Sequence, residues 1–314
     1  MVPHTADSRA SVGVVPEQQP QMVVVGRHRL RLTSLDKVIY PTTGTTKAEV
    51  LDYLVKISGP LLAQLADRPV TRIRWPHGTG DPQQFFEKNV PAGAPRWLRT
   101  ATLPSSPRDE GASGRATITF PLLDDVAGLA WVGNLSALEL HTPQWRVGPG
   151  GKPTHPDRLV VDLDPGEGTG LSECSRVAVL VAERLADDGL TTTPVTSGGK
   201  GLQLYADLPA KGVAGGRDAD AVREYAHRLA DSLAKDHRAL VTSTMTKSLR
   251  RGKVLLDWSQ NHAAKTTITP YSLRGRATPT VAAPRRWDEL GDDLRQLTCD
   301  EVLARLEADG DLMA

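Results

Sequence analysis

Cysteine is scarce in this chain, which has only Cys174 and Cys299 among its 314 residues. Two cysteines so far apart in sequence form neither a disulfide framework nor a zinc-ligand pattern, and their number fits a reducing cytoplasm. Long apolar runs are also missing, and the N-terminus shows no basic and then apolar leader. We therefore expect a cytoplasmic protein without a structural zinc site.

An excess of positive charge is missing as well. Lys and Arg number 38 against 37 Asp and Glu, which gives a net charge of +1. A chain so balanced has no overall field that attracts nucleic acid, so any such binding must come from local basic clusters. The length allows one large domain or two modest ones. Residues 1–22 show little periodicity and are predicted to be a disordered tail.

The most informative segment runs from Leu159 through Val160 and Val161 to Asp162 and Asp164. Side chains alternate along a strand, so Asp162 and Asp164 are expected to point to the same face. Two neighbouring carboxylates repel each other unless a cation lies between them, and hard divalent ions suit oxygen ligands. The pattern indicates an Mg²⁺ or Mn²⁺ site, and two solvated acids at a strand end are the alternative.

The second half of the chain has the clearer order of elements. Its hydrophobic periodicity predicts strands at 158–163, 191–196, 202–208 and 254–258, with helices at 172–188 and 218–235. This is a β-α-β-β-α-β order, in which the first and last strands lie side by side. Asp257 on the last strand is therefore expected to face Asp162 and Asp164, which makes a site of three carboxylates.

The first half is less regular. Residues 23–32 alternate apolar and basic side chains and are predicted to be one strand. Thr46 and Glu49 form a capping box that opens a helix, interrupted near Ser58, Gly59 and Pro60. Short strands are predicted at 69–75, 116–120 and 138–144.

Two basic segments could bind phosphate. The glycine-rich loop from Ser197 to Gly201 allows close backbone approach and carries Lys200, although a flexible hairpin is the alternative. Residues 247–253 contain four cations, Arg250 among them, directly before Asp257. Such a run is usually a solvated loop, but beside carboxylates it could hold a triphosphate or a DNA backbone.

Aromatic and further basic residues complete the candidates. Phe85 and Phe86 are two of only three phenylalanines, and a ring exposed beside a basic groove could stack on an unpaired base. Lys37 and Lys47 lie near the start of the first predicted helix, where a terminal phosphate would be favoured. The alternatives are a ring in the core and an ordinary charged surface.

Several motifs occur in an order that is typical of one family. They lie at residues 36–41, 85–88, 141–145, 162–168, 196–202, 257–261, 265–267 and 270–274. Together these motifs resemble the polymerase domain of bacterial LigD, a primase-type module of end joining in the archaeo-eukaryotic primase superfamily. The resemblance runs from about residue 30 to about residue 312 and is greatest to actinobacterial, mycobacterial-type members.

The resemblance implies an α/β (α+β) primase-polymerase fold with an RNA-recognition-like catalytic module. Residues 23–314 would be a single domain, with an N-terminal α/β part at about 23–150, the catalytic module at about 151–280 and a C-terminal extension at 281–314. The implied activity is template-directed nucleotide addition at gaps and broken DNA ends, with a preference for ribonucleotides. The implied setting is the bacterial cytoplasm at the nucleoid, as a monomer, with a Ku-like protein and a DNA ligase as partners.

The resemblance also implies roles for single residues. Asp162, Asp164 and Asp257 would be catalytic and hold two divalent ions, Mn²⁺ or Mg²⁺. Lys37 and Lys47 would bind the 5′-phosphate of the downstream strand, and Phe85 and Phe86 would pack against the template. The residues that would hold the incoming NTP or dNTP are His141, Ser197, Lys200, Gln203, Arg250, Gln260 and Arg274.

Two departures from the family pattern affect these expectations. Gln203 stands where family members usually have His, and Gln can donate a hydrogen bond but carries no charge. Charge-assisted bonds are about twice as strong as neutral ones, so weaker triphosphate binding is expected. Ser34 stands where relatives often have Asn, three residues before Lys37. The chain has no Lys-x-Asp-Gly ligase motif, so DNA sealing is expected from another part or polypeptide.

Two other functions use the same residues. A non-catalytic DNA-end binding and synapsis module would follow if Gln203 marked an attenuated site, but the carboxylates and Lys200 argue against that. A metal-dependent phosphoesterase or nuclease would use the same carboxylates without a triphosphate pocket. Release of pyrophosphate rather than mononucleotides separates a polymerase from such an enzyme.

Overall fold

The computed structural model describes residues 19–209 and 216–314. Residues 1–18 of the predicted tail at 1–22 lie outside the described residues. Its last two residues, 21 and 22, belong to the first strand, which begins at Gln21. None of the described helices combines the length and apolar character that crossing a membrane requires. The strands are β1 (Gln21–Val25), β2 (His28–Leu32), β3 (Val38–Tyr40), β4 (Thr45–Thr46), β5 (Thr71–Arg74), β6 (Phe85–Glu87), β7 (Thr100–Pro104), β8 (Thr117–Pro121), β9 (Ala137–Thr142), β10 (Arg158–Pro165), β11 (Thr192–Thr196), β12 (Leu202–Asp207), β13 (Val241–Thr242), β14 (Val254–Asp257), β15 (Thr267–Ile268), β16 (Thr280–Val281), β17 (Ala283–Pro284) and β18 (Leu297–Thr298). The helices are α1 (Lys47–Lys56), α2 (Ser58–Leu65), α3 (Pro107–Ser113), α4 (Val126–Asn134), α5 (Leu171–Asp187), α6 (Ala219–Asp236) and α7 (Cys299–Asp309).

The segment 23–32 is a hairpin rather than the single predicted strand. Val25 pairs with His28, so Gly26 and Arg27 alone form the turn between β1 and β2. Gly26 has φ +58°, a conformation that glycine adopts without steric cost. The alternating pattern was therefore correct for each strand, but the prediction missed the chain reversal at Gly26.

The start of α1 follows the prediction. The Thr46 side chain accepts a hydrogen bond from the Glu49 backbone N–H, and the Glu49 carboxylate accepts one from the Thr46 backbone N–H. The hydrogen bonds that the Glu49 carboxylate accepts from the Thr46 N–H and from the Thr46 hydroxyl lower the pKa of Glu49. Pro60 cannot donate a backbone hydrogen bond, and the chain forms a second helix, α2, from Ser58.

The predicted β-α-β-β-α-β module is confirmed as part of a six-stranded sheet with the order β13-β14-β10-β12-β11-β17. The first and last strands of the module, β10 and β14, are antiparallel neighbours. Their register places Asp162 directly opposite Asp257, and on the other side Asp162 lies opposite Gln203 of β12. The sheet is wider than predicted because β13 and β17 extend its two edges.

Helices α5 and α6 pack on one face of this sheet and enclose a core. Each carries an apolar stripe, with Val177 and Val181 on α5 and Val222 and Leu229 on α6 fully or nearly buried. A second core lies around α1, α2 and α4. Helix α4 was not predicted because it is apolar all round and so lacks the periodicity of a half-buried helix.

A second, four-stranded sheet has the order β15-β9-β5-β6. His141 on β9 lies opposite Thr71 on β5 and opposite Ile268 on β15, so these three side chains share one face. On β6, Phe86 lies opposite Ile73, two residues along β5 from Thr71. Strand β6 was not predicted because it is only three residues long and exposed.

One buried side chain completes the hydrogen bonding of β10. Strand β14 ends at Asp257 and leaves the first half of β10 without a neighbour on that side. Asn261, which is 1 % exposed, fills this place because its side-chain oxygen accepts from the Val160 N–H and its amide donates to the Val160 C=O. Its side chain therefore makes the two hydrogen bonds to Val160 that a neighbouring strand would otherwise make.

We predict that Asn261→Ala lowers the free energy of unfolding by about 2–4 kcal/mol, because two buried backbone groups lose their partners. Guanidinium unfolding, with the midpoint and slope both fitted, measures the change. Asn261→Asp keeps the acceptor but sets a buried carboxylate against the Val160 C=O, so it should be at least as destabilised as Asn261→Ala. An Asn261→Ala protein as stable as the wild type would contradict this role.

Candidate active site

Three carboxylates meet where β10 and β14 run side by side. One oxygen from each of Asp162, Asp164 and Asp257 lies within 4.8 Å of the other two. In the part of the chain that the structure describes, this is the only such group of three His, Cys, Asp or Glu residues. Asp257 is buried, Asp162 is half-buried and Asp164 is exposed. Oxygen ligands in a partly open cluster fit a hard divalent ion such as Mg²⁺ or Mn²⁺.

The electrostatics of the group also favour a cation. Burial and then the charge of Asp164 raise the pKa of Asp162 to about 8. Burial and the charge of Asp257 raise the pKa of Asp164, although nearby Arg250 opposes this. Carboxyl groups with raised pKa values are destabilised in their charged form, and a bound divalent ion would relieve that destabilisation.

Asp257 is oriented by its neighbours on the following turn. Its Oδ1 accepts hydrogen bonds from the Ser259 N–H at 3.0 Å and from the Ser259 hydroxyl, and its Oδ2 accepts one from Gln260 Nε2 at 2.9 Å. Lys265 Nζ donates to the same Ser259 hydroxyl. The carboxylate is therefore held in one orientation before any metal binds.

Gln203 contacts a carboxylate, whereas the expectation was contact with a phosphate. Its Nε2 donates to Asp162 Oδ1 at 3.0 Å, and its Oε1 lies 3.1 Å from the Tyr205 hydroxyl. Gln203 is 4 % exposed, since it lies directly opposite Asp162 in the sheet. One of its two amide hydrogens is thus used to orient Asp162, and its charge-neutral amide suits that contact.

The glycine-rich loop between β11 and β12 is closed by its own serine. Ser197 Oγ accepts hydrogen bonds from the N–H groups of Gly199 and Gly201, each at 3.2 Å, while Lys200 extends to solvent. A Cβ on Gly201 would lie only 2.3 Å from the Leu163 backbone oxygen. Only glycine lets the loop approach β10 so closely, which places Ser197 and Lys200 beside the carboxylates.

Glu139, which the sequence analysis did not single out, contacts two of the predicted nucleotide-binding residues. Glu139 Oε2 lies 2.8 Å from His141 Nε2, and its Oε1 lies 3.4 Å from Arg274 Nε. Burial would raise the pKa of Glu139, but the contacts with His141 and Arg274 hold it below its usual value. Its spacing of two from His141 on one strand was a usable signal, since it places both side chains on the same face.

A second missed residue, Gln296, supports the glycine-rich loop from outside. Its Oε1 accepts from the Gly198 N–H at 2.7 Å and its Nε2 donates to the Gly201 C=O at 3.1 Å. Because Gln296 is about a hundred residues from the loop in sequence, no local pattern could have revealed it.

Some of these groups line one cavity of about 260 Å³, which we call the nucleotide pocket, whereas Asp257, Glu139 and Gln296 are not in its lining. Six of the seven residues predicted to bind the nucleotide line it together with Asp162 and Asp164: His141, Ser197, Lys200, Gln203, Gln260 and Arg274. The seventh, Arg250, is not in the lining and donates instead to the backbone oxygens of Thr244 and Met245. Arg276, which was not among the predicted site residues, also lines the pocket.

A separate cluster of cations lies at the start of α1. Lys47 is 4 % exposed, and its Nζ donates to the Thr33 C=O at 2.7 Å. Burial, then the charges of Lys37 and Arg74, lower its pKa to about 8. Like charges held this close at a helix N-terminus fit an anion. Ser34 has φ +51°, a conformation in which Asn is more common than Ser.

Phe85 and Phe86 lie on the edge strand β6 and are not in the core. They are 39 % and 59 % exposed, and Lys88 Nζ lies 5.9 Å from the centre of the Phe86 ring. An exposed ring at a sheet edge is suited to stacking on an unpaired base.

Comparison with known proteins places these features in one family. The family described as "LigD, primase-polymerase domain" matches residues 46–313. The chain is 50 % identical over 291 residues to "Multifunctional non-homologous end joining DNA repair protein LigD" of Mycobacterium tuberculosis, which covers 91 % of this chain and 36 % of that protein. It is 31 % identical over 284 residues to "Bifunctional non-homologous end joining protein LigD" of Bacillus subtilis, covering 90 % and 43 %. The chain thus spans about a third to two fifths of the length of these relatives.

A solved structure is similar over nearly its whole length. It is the "Polymerase Domain from Mycobacterium tuberculosis Ligase D in complex with DNA", with a TM-score of 0.84 and 49 % identity. The match covers 91 % of this chain and 96 % of that one. The fold is therefore that of a LigD polymerase domain.

We predict that Mn²⁺ stabilises the protein more at about pH 8 than at about pH 5.5. Without metal, the raised pKa of Asp162 makes stability fall as the pH rises from the unfolded value of 3.8 towards about 8, since only the unfolded chain then loses the proton. Metal binding removes this cost. Thermal unfolding with EDTA or Mn²⁺ measures it, with an expected pH-dependent difference of roughly a few degrees. In Asp162→Asn the difference should shrink, with the raised pKa of Asp164 accounting for what is left, and an equal Mn²⁺ effect at both pH values in the wild type would contradict the prediction.

Proposed function

The chain belongs to the LigD primase-polymerase domain family, and on that premise we propose that it is a template-directed nucleotidyltransferase. It would extend a primer 3′-OH at a gap or a double-strand break, as a polymerase of non-homologous end joining. The observation that carries the proposal is that the register of β10 and β14 gathers three carboxylates, and that two of them, Asp162 and Asp164, line one pocket with Lys200 and Arg274. A metal site joined to a cationic pocket suits a nucleoside triphosphate.

The pocket residues have distinct tasks in this proposal. Lys200 and Arg274 would bind the phosphates of the incoming nucleotide, with Ser197 and His141 as further hydrogen-bond partners. Glu139 contacts both Arg274 and His141 and would keep them oriented. Catalysis would then consist mainly of positioning and of stabilising negative charge.

Asp162, Asp164 and Asp257 are the residues that would hold two divalent ions. When bound, such ions lower the pKa of the primer 3′-OH and stabilise the charge that develops on the α-phosphate and pyrophosphate. Gln203 orients Asp162, while Ser259 and Gln260 orient Asp257. The protein thus supplies oriented ligands in advance, which is the part of the task that its own residues perform.

The DNA substrate would be a gapped duplex or broken end with a downstream 5′-phosphate. Lys37 and Lys47 would bind that phosphate, and Phe85 and Phe86 would pack against the template. Arg250, beside Asp164 but outside the pocket lining, would reach the triphosphate only by leaving its contacts with residues 244–245. A preference for ribonucleotides, a cytoplasmic location at the nucleoid, and a Ku-like protein and a DNA ligase as partners are proposed from the family resemblance.

We predict that Asp257→Asn lowers nucleotide addition by on the order of a thousandfold or more and leaves DNA binding within about twofold, because it removes one ligand charge and little volume. The assay is primer extension on a gapped duplex with NTPs or dNTPs and Mn²⁺ or Mg²⁺, with pyrophosphate release measured in parallel. Asp231→Asn, on the exposed face of α6, is the matched control. Normal extension by Asp257→Asn would overturn the assignment, and mononucleotide release by the wild type would favour a phosphoesterase.

We predict that Lys47→Gln abolishes the preference for a gap with a 5′-phosphate over one with a 5′-hydroxyl. The buried ammonium group, close to the charges of Lys37 and Arg74, gains most from an anion. Fluorescence anisotropy on the two gapped duplexes measures the ratio of dissociation constants. Lys56→Gln, at the exposed C-terminal end of the same helix, is the control and should keep the wild-type ratio. An unchanged ratio in Lys47→Gln would place the phosphate elsewhere.

A further inference from the structure

A second cavity, of about 340 Å³, opens beside the nucleotide pocket. We call it the side pocket, and its lining includes Thr71, Leu103, Ser105, Ile118, Trp145 and Thr266. It is of the size of small-molecule sites and is largely apolar, with a few polar groups. None of the roles proposed above uses it.

The side pocket lies between two parts of the proposed active site. Thr266 lines both this cavity and the nucleotide pocket. Thr71 is the cross-strand partner of His141, so the strands that carry these two lining residues are one spacing of roughly 4.8 Å apart. On the next strand, β6, Phe86 lies two residues along from the Thr71 level, and Lys88 lines the side pocket. A DNA template strand that ran from Phe86 to the nucleotide pocket would pass over this cavity.

Two hydroxyl groups in its wall have no hydrogen-bond partner among the described residues. They are Thr71 Oγ1, on a residue with no exposed surface, and Ser105 Oγ. A buried hydroxyl without a partner is destabilising, and natural proteins rarely keep one without a use. A ligand with polar atoms on its edge would supply the missing partners.

The remaining chemistry of the pocket selects the kind of ligand. Lys88 Nζ donates hydrogen bonds to both carboxylate oxygens of Asp109, at 2.9 and 2.8 Å. The positive charge of Lys88 is therefore already balanced. An anion would therefore find no free charge there. Trp145 donates its Nε1–H to the Ala263 C=O, and its ring packs against the cluster of Ala101, Leu103 and Leu122 while also lining the pocket. Apolar walls, an aromatic ring and neutral hydroxyls fit a flat group with apolar faces and a polar edge, which is a nucleobase.

We propose that the side pocket receives one unpaired base of the template strand. The inference rests on the proposed function, because the base of the incoming nucleotide must pair with the template during templated addition. The base in the side pocket is then a template base outside that pair. Holding it out of the stack would keep the templating position separate from its neighbour.

The first test replaces each template base near a gap, one at a time, by an abasic residue. Anisotropy measures the affinity of the full chain for each duplex, with the 5′-phosphate present. One position should lose about 5- to 100-fold in affinity, as expected for one stacked base, and the others little. In Ala264→Phe, which fills the rim of the pocket, the loss at that position should disappear because the base is already excluded. Ala304→Phe, at an exposed position on α7, is the matched control and should keep the wild-type pattern.

The second test removes a hydroxyl group without changing the shape of the pocket. Thr71→Val should leave the melting temperature of the free protein unchanged or higher, because the lost hydroxyl has no partner, yet weaken binding of the intact template several-fold. Thr242→Val removes a buried hydroxyl that accepts from the Thr244 N–H, and should lower the melting temperature without affecting the template. A purely structural role for Thr71 would lower stability and leave the template pattern unchanged.

The outcomes separate this inference from the proposed function. If the wild type adds nucleotides and prefers the 5′-phosphate but shows a flat abasic profile, the side-pocket proposal is overturned and the polymerase assignment stands. A Thr71→Val protein that loses affinity for free NTP instead of template would assign the pocket to the incoming base and also overturn the proposal. A wild type that neither adds nucleotides nor binds gapped DNA would overturn both.

Discussion

The antiparallel register around β10 is the constraint on which the rest of the active site depends. On one side it puts Asp257 opposite Asp162, and on the other it puts Gln203 opposite the same residue. A slip of one residue on either neighbour would send its side chain to the other face of the sheet. The two cores, the capped helices and the Asn261 contact stabilise this register. That stabilisation is needed because the three carboxylates repel one another.

The buried charges of the molecule follow from the same logic. At the carboxylates, burial and mutual repulsion raise pKa values, and at Lys47 burial and like charges lower one. Both sites are destabilised in the free chain and would be relieved by ligands of opposite charge, cations in one place and a phosphate in the other. The nearly neutral total charge hides this separation, because it is a matter of position and not of composition.

Much of this arrangement could be read from the sequence, for identifiable reasons. The strand–helix alternation of the second half is strongly periodic, so the adjacency of β10 and β14 followed from topology. The register that sets Asp257 opposite Asp162 could not be read from the sequence, because it depends on the backbone pairing of two strands far apart in the chain. The turn at Gly26 was missed because a two-residue reversal leaves the alternation of both strands intact. Helix α4 was missed because full burial removes its pattern. Gln296 and the side pocket could not be foreseen, since each depends on residues brought together from distant parts of the chain.

The close approach of Gly201 to Leu163 has a consequence for how this site can change over generations. Where one side chain orients another, as Gln203 orients Asp162, exchange for another hydrogen-bonding residue alters the strength of the contact but keeps the strand pairing. Where backbone touches backbone, any added carbon displaces β12 from β10 and with it every group aligned on them. Substitutions in this pocket are therefore expected to be unevenly tolerated. Residue 203 can change, whereas residue 201 must stay glycine because it lets the two strands meet.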